Sequence, residues 1–173
     1  MEYEFNLKFK LAAGDTDHDA IMRRLGAAGC TDALVGFGVP GYVNLEFVRE
    51  AESAEEAVLS AAREASAGLP GAQLVEAGPD FVGLTEVADL LQMSRQNMRK
   101  LFVGNDAFPA PVHGGNASVW HLAQVLLFLR ERHYEIAPSV FDVAVTTMHV
   151  NLTKEKALMD TRLEKRVRQH LFA

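Results

Sequence analysis

A short segment of the chain, residues 94–100, holds the side chains best suited to bind another molecule. Its polar members are Ser94, Arg95, Gln96, Asn97, Arg99 and Lys100. Arginine and lysine bind phosphate groups, and arginine, glutamine and asparagine can each make paired hydrogen bonds to the edge of a purine base. No acidic residue occurs between Ser94 and Gly104, although the chain as a whole is acidic. This composition indicates a candidate nucleic-acid-binding helix face, with an ordinary solvated helix face as the alternative.

The other motifs resemble catalytic or metal sites only superficially. Residues 36–41 match the G-x-G-x-x-G dinucleotide fingerprint, but they lead into an alternating strand instead of the helix that would hold a pyrophosphate. Three aspartates within residues 15–19 lack the glycine and the terminal glutamate of an EF-hand. The histidines show no metal-ligand spacing with the one cysteine. We therefore expect no catalytic residue, cofactor or metal, and an enzyme is the least favoured alternative.

The charge of the chain is distributed unevenly along its 173 residues, which together carry −6. Residues 1–78 hold 6 basic and 13 acidic residues, a net charge of −7. Residues 79–133 hold 5 of each sign, and residues 134–173 hold 6 basic against 5 acidic residues. A large nucleic-acid footprint usually needs a basic domain. The charge therefore disfavours such a footprint in the first segment and leaves it open in the other two.

Composition and the first residues predict a soluble, cytoplasmic protein. Hydrophobic residues make up 49% of the chain, which is ample to form a core. No stretch approaches the roughly 18 apolar residues of a membrane span, and the alternating start lacks the apolar block of a signal peptide. Cys30 is the only cysteine, so an internal disulfide is excluded.

Residues 1–78 predict an acidic domain with the element order β-α-β-β-α-β. The predicted elements are a strand over 3–11, a helix over 17–28, strands over 33–37 and 42–49, a helix of about 15 residues after Ser53, and a strand over 72–77. The first helix should bury Ile21, Met22 and Leu25, and Ser53 with Glu56 forms a capping-box pattern. This order is the split βαβ, or ferredoxin-like, arrangement within an α+β fold. Such a domain would serve dimerisation or the binding of a small effector or partner.

A helix-turn-helix is predicted just after residues 78–80, where glycine and proline mark a boundary. Thr85 can cap a first helix, and Ser94 can cap a second. Only a two-residue turn at 92–93 separates them, which is the spacing of a helix-turn-helix. The residues expected to be buried are Val87, Ala88, Leu90 and Leu91 in the first helix and Met98, Leu101 and Phe102 in the second.

A two-stranded hairpin and a third helix should complete residues 79–133. The chain is expected to extend past Phe108 and Val112, turn at 113–116 and return over 117–120. A helix from about His121 to Arg132 would follow, with an apolar face formed by Leu122, Val125, Leu126 and Leu129. Trp120 is expected to pack at the start of this helix, and His121 to be a packing or surface residue.

Three groups of residues in this region carry a resemblance to a known family. They are Gly83-Leu84-Thr85-Glu86-Val87-Ala88, Ser94-Arg95-Gln96-Asn97-Met98, and Phe108-Pro109-Ala110-Pro111 with Val119-Trp120. Together, residues 82–132 resemble the winged helix-turn-helix domains of the MerR-like superfamily, especially AlpA-type phage regulators and excisionases. The whole chain is more loosely similar to bacterial DNA-binding proteins.

The resemblance implies that the second helix enters the major groove of double-stranded DNA. Ser94, Arg95, Gln96, Asn97, Arg99 and Lys100 would then enter or border the groove. The wing residues His113, Asn116 and Ser118 would approach the backbone or the minor groove. Two departures point to modest affinity for a single domain: Gln92 stands where such turns often have glycine, and the wing lacks an arginine or lysine.

Residues 134–173 are predicted to form a helical tail with an apolar stripe. Its inward residues would be Val140, Val143, Ala144, Thr147, Met148 and Leu152, followed by Leu158, Met159, Leu163, Val167 and Leu171. Lys165, Arg166, Arg168 and His170 cluster near the end, where cations suit the helix dipole. The stripe favours a homodimer, because a reader with few basic residues needs two half-sites. Burial in the protein's own core is the alternative.

Two hypotheses follow from these patterns. In the first, the chain is a sequence-specific DNA-binding regulator of transcription, without enzyme activity. In the second, it is an interaction adaptor whose winged helix no longer binds DNA, since the acidic first segment would repel phosphate. A surface on which Arg95, Arg99 and Lys100 project together would favour the first hypothesis.

Overall fold

A computed structural model of the protein describes residues 1–115 and 117–172. The strands are β1 (Glu2–Lys10), β2 (Ala33–Gly36), β3 (Tyr42–Glu50), β4 (Gln73–Gly78), β5 (Phe81–Val82) and β6 (Trp120–His121). The helices are α1 (His18–Ala28), α2 (Ala54–Gly68), α3 (Leu84–Leu90), α4 (Arg95–Val103), α5 (Leu122–Glu131), α6 (Pro138–Lys156) and α7 (Thr161–Leu171). The fold is therefore α+β, as predicted. In the part of the chain so described, no helix is long and apolar enough to cross a membrane.

The first four strands form one antiparallel sheet in the order β2-β3-β1-β4. Phe5 lies opposite Phe47 and Leu7 opposite Leu45, and all four side chains are buried. The alternation predicted for β1 is confirmed, because every second residue from Tyr3 is buried. The helices α1 and α2 contact each other, and their inward side chains join the buried residues of the sheet in one core.

Local capping signals determine where these helices begin and end. Asp17 accepts a hydrogen bond from the backbone N–H of Ala20 at 3.0 Å, and Gly29 ends α1 with a φ of 109°. Ser53 caps α2, but Glu56 accepts from Glu52 N–H, one residue earlier than a capping box requires.

One buried position predicted for α1 is wrong. Met22 is exposed, because Ile21 and Leu25 already cover the sheet and Met22 lies on the next row of the helix. The glycine-rich segment 36–41 connects β2 to β3, and a strand follows it instead of a helix. The hairpin interpretation of that segment is therefore confirmed.

Cys30 is buried under the sheet, and burial raises the pKa of its thiol to about 11, with a further contribution from the Glu64 carboxylate. The thiolate is the reactive form, so we expect a reaction with an aromatic disulfide reagent that is at least about 100-fold slower than in urea. The measurement is the rate of thiol release at mildly alkaline pH, native against denatured. Equal rates in both states would contradict the buried position.

A second core lies between β5, β6 and the helices α3, α4 and α5. Its buried residues include Val87, Ala88, Met98, Trp120 and Leu126. The apolar face predicted for α5 is confirmed, since Leu122, Val125, Leu126 and Leu129 are all buried. Ala144 of α6 belongs to this core and Val143 to the first one, so α6 packs against both.

Side chains of α6 bind the main chain along and just after the edge strand β4. Thr147 donates to the Pro79 carbonyl at 2.8 Å, Asn151 makes hydrogen bonds to both main-chain groups of Ala77, and Lys154 donates to the Val75 carbonyl. From Thr147 to Asn151 the helix rises about 6 Å, close to the about 6.6 Å that two extended residues span between Pro79 and Ala77. From Asn151 to Lys154 it rises only about 4.5 Å, and the long lysine side chain covers the difference to Val75. This pairing protects a sheet edge that would otherwise expose main-chain groups.

The tail helices differ from each other in their burial. The apolar stripe of α6 is buried inside the protein at Val143 and Ala144, although Leu152 is exposed. The expectation that the second part of the stripe points inward is wrong for Leu158, Met159, Leu163, Val167 and Leu171, all of which are exposed. The physical reason is that α6 ends at Lys156 and Asp160 begins α7 beyond both cores.

Candidate nucleic-acid interface

The helices α3 and α4 form a compact pair joined by a tight turn. α3 begins at Gly83, whose N–H donates to the Glu86 carboxylate at 2.6 Å, so the prediction of Thr85 as its cap is wrong. Val87 and Ala88 are buried as expected, but Leu90 and, in α4, Phe102 are exposed, so the burial predicted for these two residues is wrong. The smallest residue at the contact, Ala88, allows the two helices to approach each other closely.

Gln92 occupies the turn with a φ of 52°, the left-handed region that favours glycine. Two hydrogen bonds hold it there: Met93 N–H donates to the Ala88 carbonyl at 2.8 Å, and Gln92 N–H donates to the Asp89 carbonyl at 3.2 Å. This pattern is a Schellman motif with glutamine at the position usually taken by glycine.

We expect Gln92→Gly to raise the free energy of unfolding by about 0.5–1 kcal/mol, because glycine adopts the left-handed conformation without strain. The greater freedom of glycine in the unfolded chain offsets only part of this gain. The measurement is the urea midpoint of the full chain. Gln124→Gly, at an exposed position within α5, is the matched control and should instead lower stability by about the same amount. A loss of stability in both variants would contradict the assigned role of the turn.

The exposed face of α4 contains every residue that the sequence assigned to it. Ser94 accepts a hydrogen bond from Asn97 N–H at 3.1 Å and so begins the helix. Met98 is fully buried and anchors α4 against the second core. The side chains that are exposed are Ser94, Arg95, Gln96, Asn97, Arg99 and Lys100. Three cations and two amides are thus presented together on one short helix.

Among the described residues, Arg95 is the one cation of this face that lies within ion-pair distance of a carboxylate. Its guanidinium lies 3.5 Å from the Asp89 carboxylate, and both side chains are more than 60% exposed. Such a surface ion pair is worth at most about 1 kcal/mol and can be exchanged for another anion at little cost. Asp89 therefore orients the Arg95 side chain, which stays available to bind a ligand.

The segment after α4 forms a short hairpin anchored by aromatic side chains. His113 and Val119 are paired, with Val119 N–H donating to the His113 carbonyl at 3.0 Å. The indole N–H of Trp120 donates to the Pro109 carbonyl at 2.8 Å. The predicted return strand is only partly formed here, because Trp120 pairs with Val82 of β5 instead.

The base of this hairpin contacts α4 directly. The ring of Phe102, at the end of α4, lies 5.5 Å from Phe108 and 5.3 Å from Trp120, centroid to centroid. Edge-to-face aromatic contacts of this kind fix the relative positions of their elements. His113 is exposed and Ser118 is partly buried, whereas Asn116 lies outside the described residues.

A buried polar network joins the second core to the first sheet, and the sequence did not indicate it. Asp80 and His121 are buried, with 2.7 Å between the carboxylate Oδ1 and the imidazole Nδ1. The amide of Asn151 donates to the other oxygen of Asp80 at 2.8 Å. His121 thus has the packing role expected for it, and Asn151 is the residue that sequence reasoning missed. No sequence signal could have found it, because its partners lie more than 70 positions away.

The buried network sets the position of the helix pair relative to the sheet. β5 and α3 follow directly on Asp80, and α5 follows on His121, whose neighbour Leu122 donates its N–H to the Asp80 carbonyl at 2.7 Å. Burying polar groups is tolerated only when they are paired. Among the described side chains, every buried nitrogen or oxygen has a hydrogen-bond partner.

Comparisons with known proteins gave no relative: no protein-family model, curated protein or solved structure matches the chain.

Proposed function

We propose that the protein is a sequence-specific DNA-binding regulator of transcription, acting in the cytoplasm through a winged helix-turn-helix of the MerR-like type formed by residues 79–133. The observation that carries this proposal is the exposed face of α4, which has three cations, two amides and no acidic side chain. α4 follows α3 through a tight turn, as a recognition helix does. Its buried Met98 leaves the opposite face free for a ligand.

The proposed roles of the side chains follow from their positions along α4. Residues near the start of a recognition helix usually contact base edges, so Arg95, Gln96 and Asn97 are assigned to base recognition. Arg99 and Lys100 lie one turn further on and are assigned to phosphates. The hairpin would lie beside the backbone or minor groove, with His113 and Ser118 as its described polar residues.

The acidic first segment is proposed to be a ferredoxin-like domain. Its support is the element order β-α-β-β-α-β together with a sheet in which β3 lies between β2 and β1. A role in dimerisation or in binding an effector or partner stays a prediction. Its net charge of −7 would be repelled by phosphate, so the domain would lie away from DNA.

The second candidate function is a protein-interaction adaptor. It is favoured by one observation: the hairpin segment 108–120 contains no arginine or lysine. A wing that meets phosphates usually carries such a cation. An uncharged hairpin suits a protein surface, and α4 would then bind an acidic partner.

Salt-dependent binding to duplex DNA distinguishes the two functions. The assay is fluorescence anisotropy of the full chain with a labelled random-sequence duplex at several salt concentrations. For a DNA-binding protein, the logarithm of the binding constant falls linearly with the logarithm of the salt concentration, by about 0.9 for each phosphate contact. Absence of binding at low salt would favour the adaptor.

A further inference from the structure

The last helix of the chain presents an apolar row that the described residues of its own copy cover only in part. No residue of Thr161–Leu171, all of which are described, is buried. Leu163, Val167 and Leu171 follow one another at intervals of four, so they form one row along α7. Leu163 and Leu171 are 58% and 71% exposed. An exposed apolar row on a structured helix indicates a surface that binds a partner.

The row is bordered on one side by cations. Arg162 and Arg166 are exposed and lie on the neighbouring row, again four residues apart. On the other side, Glu164 is engaged within its own copy, 3.7 Å from Lys156 and 3.2 Å from Arg168. The border of the apolar row formed by Arg162 and Arg166 is therefore the one available to a partner, and it is positively charged.

A groove of matching character runs between α2 and α6. Its body, about 640 Å³ in volume, is lined by Leu59, Val145 and Val150 together with the polar residues Glu55, Thr146, His149 and Thr153. The groove continues toward the start of α6 as a smaller depression of about 250 Å³, whose rim carries Glu55 and Asp142. The groove thus combines apolar side chains along its body with two carboxylates, Glu55 and Asp142, toward the start of α6, a pattern complementary to α7.

The spacing of the charged and apolar side chains along α7 also matches the spacing of their proposed partners along α6. From Arg162 to Leu171 an α-helix rises about 13 Å, and from Asp142 to Val150 it rises about 12 Å. With Arg162 and Arg166 opposite the acidic end, Leu171 reaches the apolar body of the groove.

The helix α7 of the same copy does not reach the acidic end of its own groove. Its first turn is held near the end of α6 by Glu164 and Lys156. Asp142 lies fourteen residues earlier on α6, about 21 Å along the helix axis. The complementary occupant is therefore the α7 of another molecule.

We propose that two copies of the chain form a dimer in which α7 of each copy docks into the α2–α6 groove of the other. The contact occurs twice around a two-fold axis, with Leu163 and Leu171 in the groove and Arg162 and Arg166 beside Glu55 and Asp142. This interface goes beyond DNA recognition and does not depend on it. If the proposed function holds, the dimer presents two copies of α4 to two half-sites.

The test measures the mass of the full chain by light scattering and sedimentation velocity at micromolar concentrations, without DNA. The wild type should be a dimer, and Leu163→Glu with Leu171→Glu should be a monomer with an unchanged circular dichroism spectrum. Arg162→Glu with Arg166→Glu should weaken the dimer by about tenfold or more. Adding Glu55→Arg and Asp142→Arg to that variant should restore it, because each charge pair is then reversed.

Lys165→Glu is the matched control, since Lys165 lies on the opposite side of α7, and it should leave the dimer intact. A monomeric wild type, a dimer that survives the leucine substitutions, or a charge reversal that restores nothing would each overturn the proposal. Cosedimentation of a monomeric wild type with anionic phospholipid vesicles, lost on Leu163→Glu with Leu171→Glu, would assign α7 to a membrane surface instead. Because no DNA is present, none of these outcomes bears on the role of α4.

Discussion

Reversing the three cations of α4, by Arg95→Glu, Arg99→Glu and Lys100→Glu, should weaken binding of the full chain to duplex DNA by at least about 1,000-fold. Each cation is assigned a base or a phosphate, and loss of one such contact costs about 1–3 kcal/mol. The introduced carboxylates add repulsion from the same phosphates. The measurement is the dissociation constant from anisotropy at one fixed, low salt concentration.

Stability should hardly change in that variant, because all three side chains are exposed and Met98 still anchors the helix. Surface substitutions of this kind usually alter the free energy of unfolding by no more than about 0.5 kcal/mol each. The matched control reverses three exposed cations of the first segment, Lys10, Arg23 and Arg63, which changes the net charge equally. Binding that survives in the α4 variant, or that falls equally in both variants, would contradict the assignment.

Asn151→Leu should lower the free energy of unfolding by about 3–9 kcal/mol. Asn151 is fully buried and satisfies the N–H of Ala77 at 2.9 Å, the carbonyl of Ala77 at 2.8 Å and the carboxylate of Asp80 at 2.8 Å. Leucine has nearly the same volume but leaves these three groups unpaired, and each costs about 1–3 kcal/mol. Urea denaturation followed by circular dichroism measures the change.

The control for this substitution is Thr146→Val on the same helix. The hydroxyl of Thr146 donates at 2.8 Å only to the Asp142 carbonyl, one turn earlier and exposed to solvent. Its loss should change stability by less than about 0.5 kcal/mol. If Asn151→Leu were as mild as Thr146→Val, the buried network could not be what joins the sheet to the second core.

The elements of the first segment could be predicted because a strand or helix that is buried on one side has apolar residues at regular intervals in the sequence. Alternation from Tyr3 to Phe9 predicted β1, and the capping pattern at Ser53 predicted where α2 begins. A stretch of apolar residues shows that a face exists without showing what covers it. For that reason Met22, Leu90 and the row on α7 were predicted to be buried and are exposed.

The candidate interface was predictable where its residues are neighbours in the sequence. Residues 94–100 lie on one helix, so their types and spacing already predicted the exposed polar face. The network around Asn151 was not predictable, since its partners are distant and a buried asparagine resembles an exposed one in sequence. Gln92 shows a third case, in which two hydrogen bonds of the turn hold glutamine in a conformation typical of glycine.

The most direct test of the proposed function is selection from a library of random-sequence duplex DNA. The full chain is incubated with the library at low and at moderate salt, and the retained fragments are sequenced. A DNA-reading α4 predicts enrichment of a short sequence, and a dimer predicts two copies of it separated by about 10 base pairs or a multiple of that spacing. Failure to retain DNA at low salt, or retention without an enriched sequence, would contradict sequence-specific recognition.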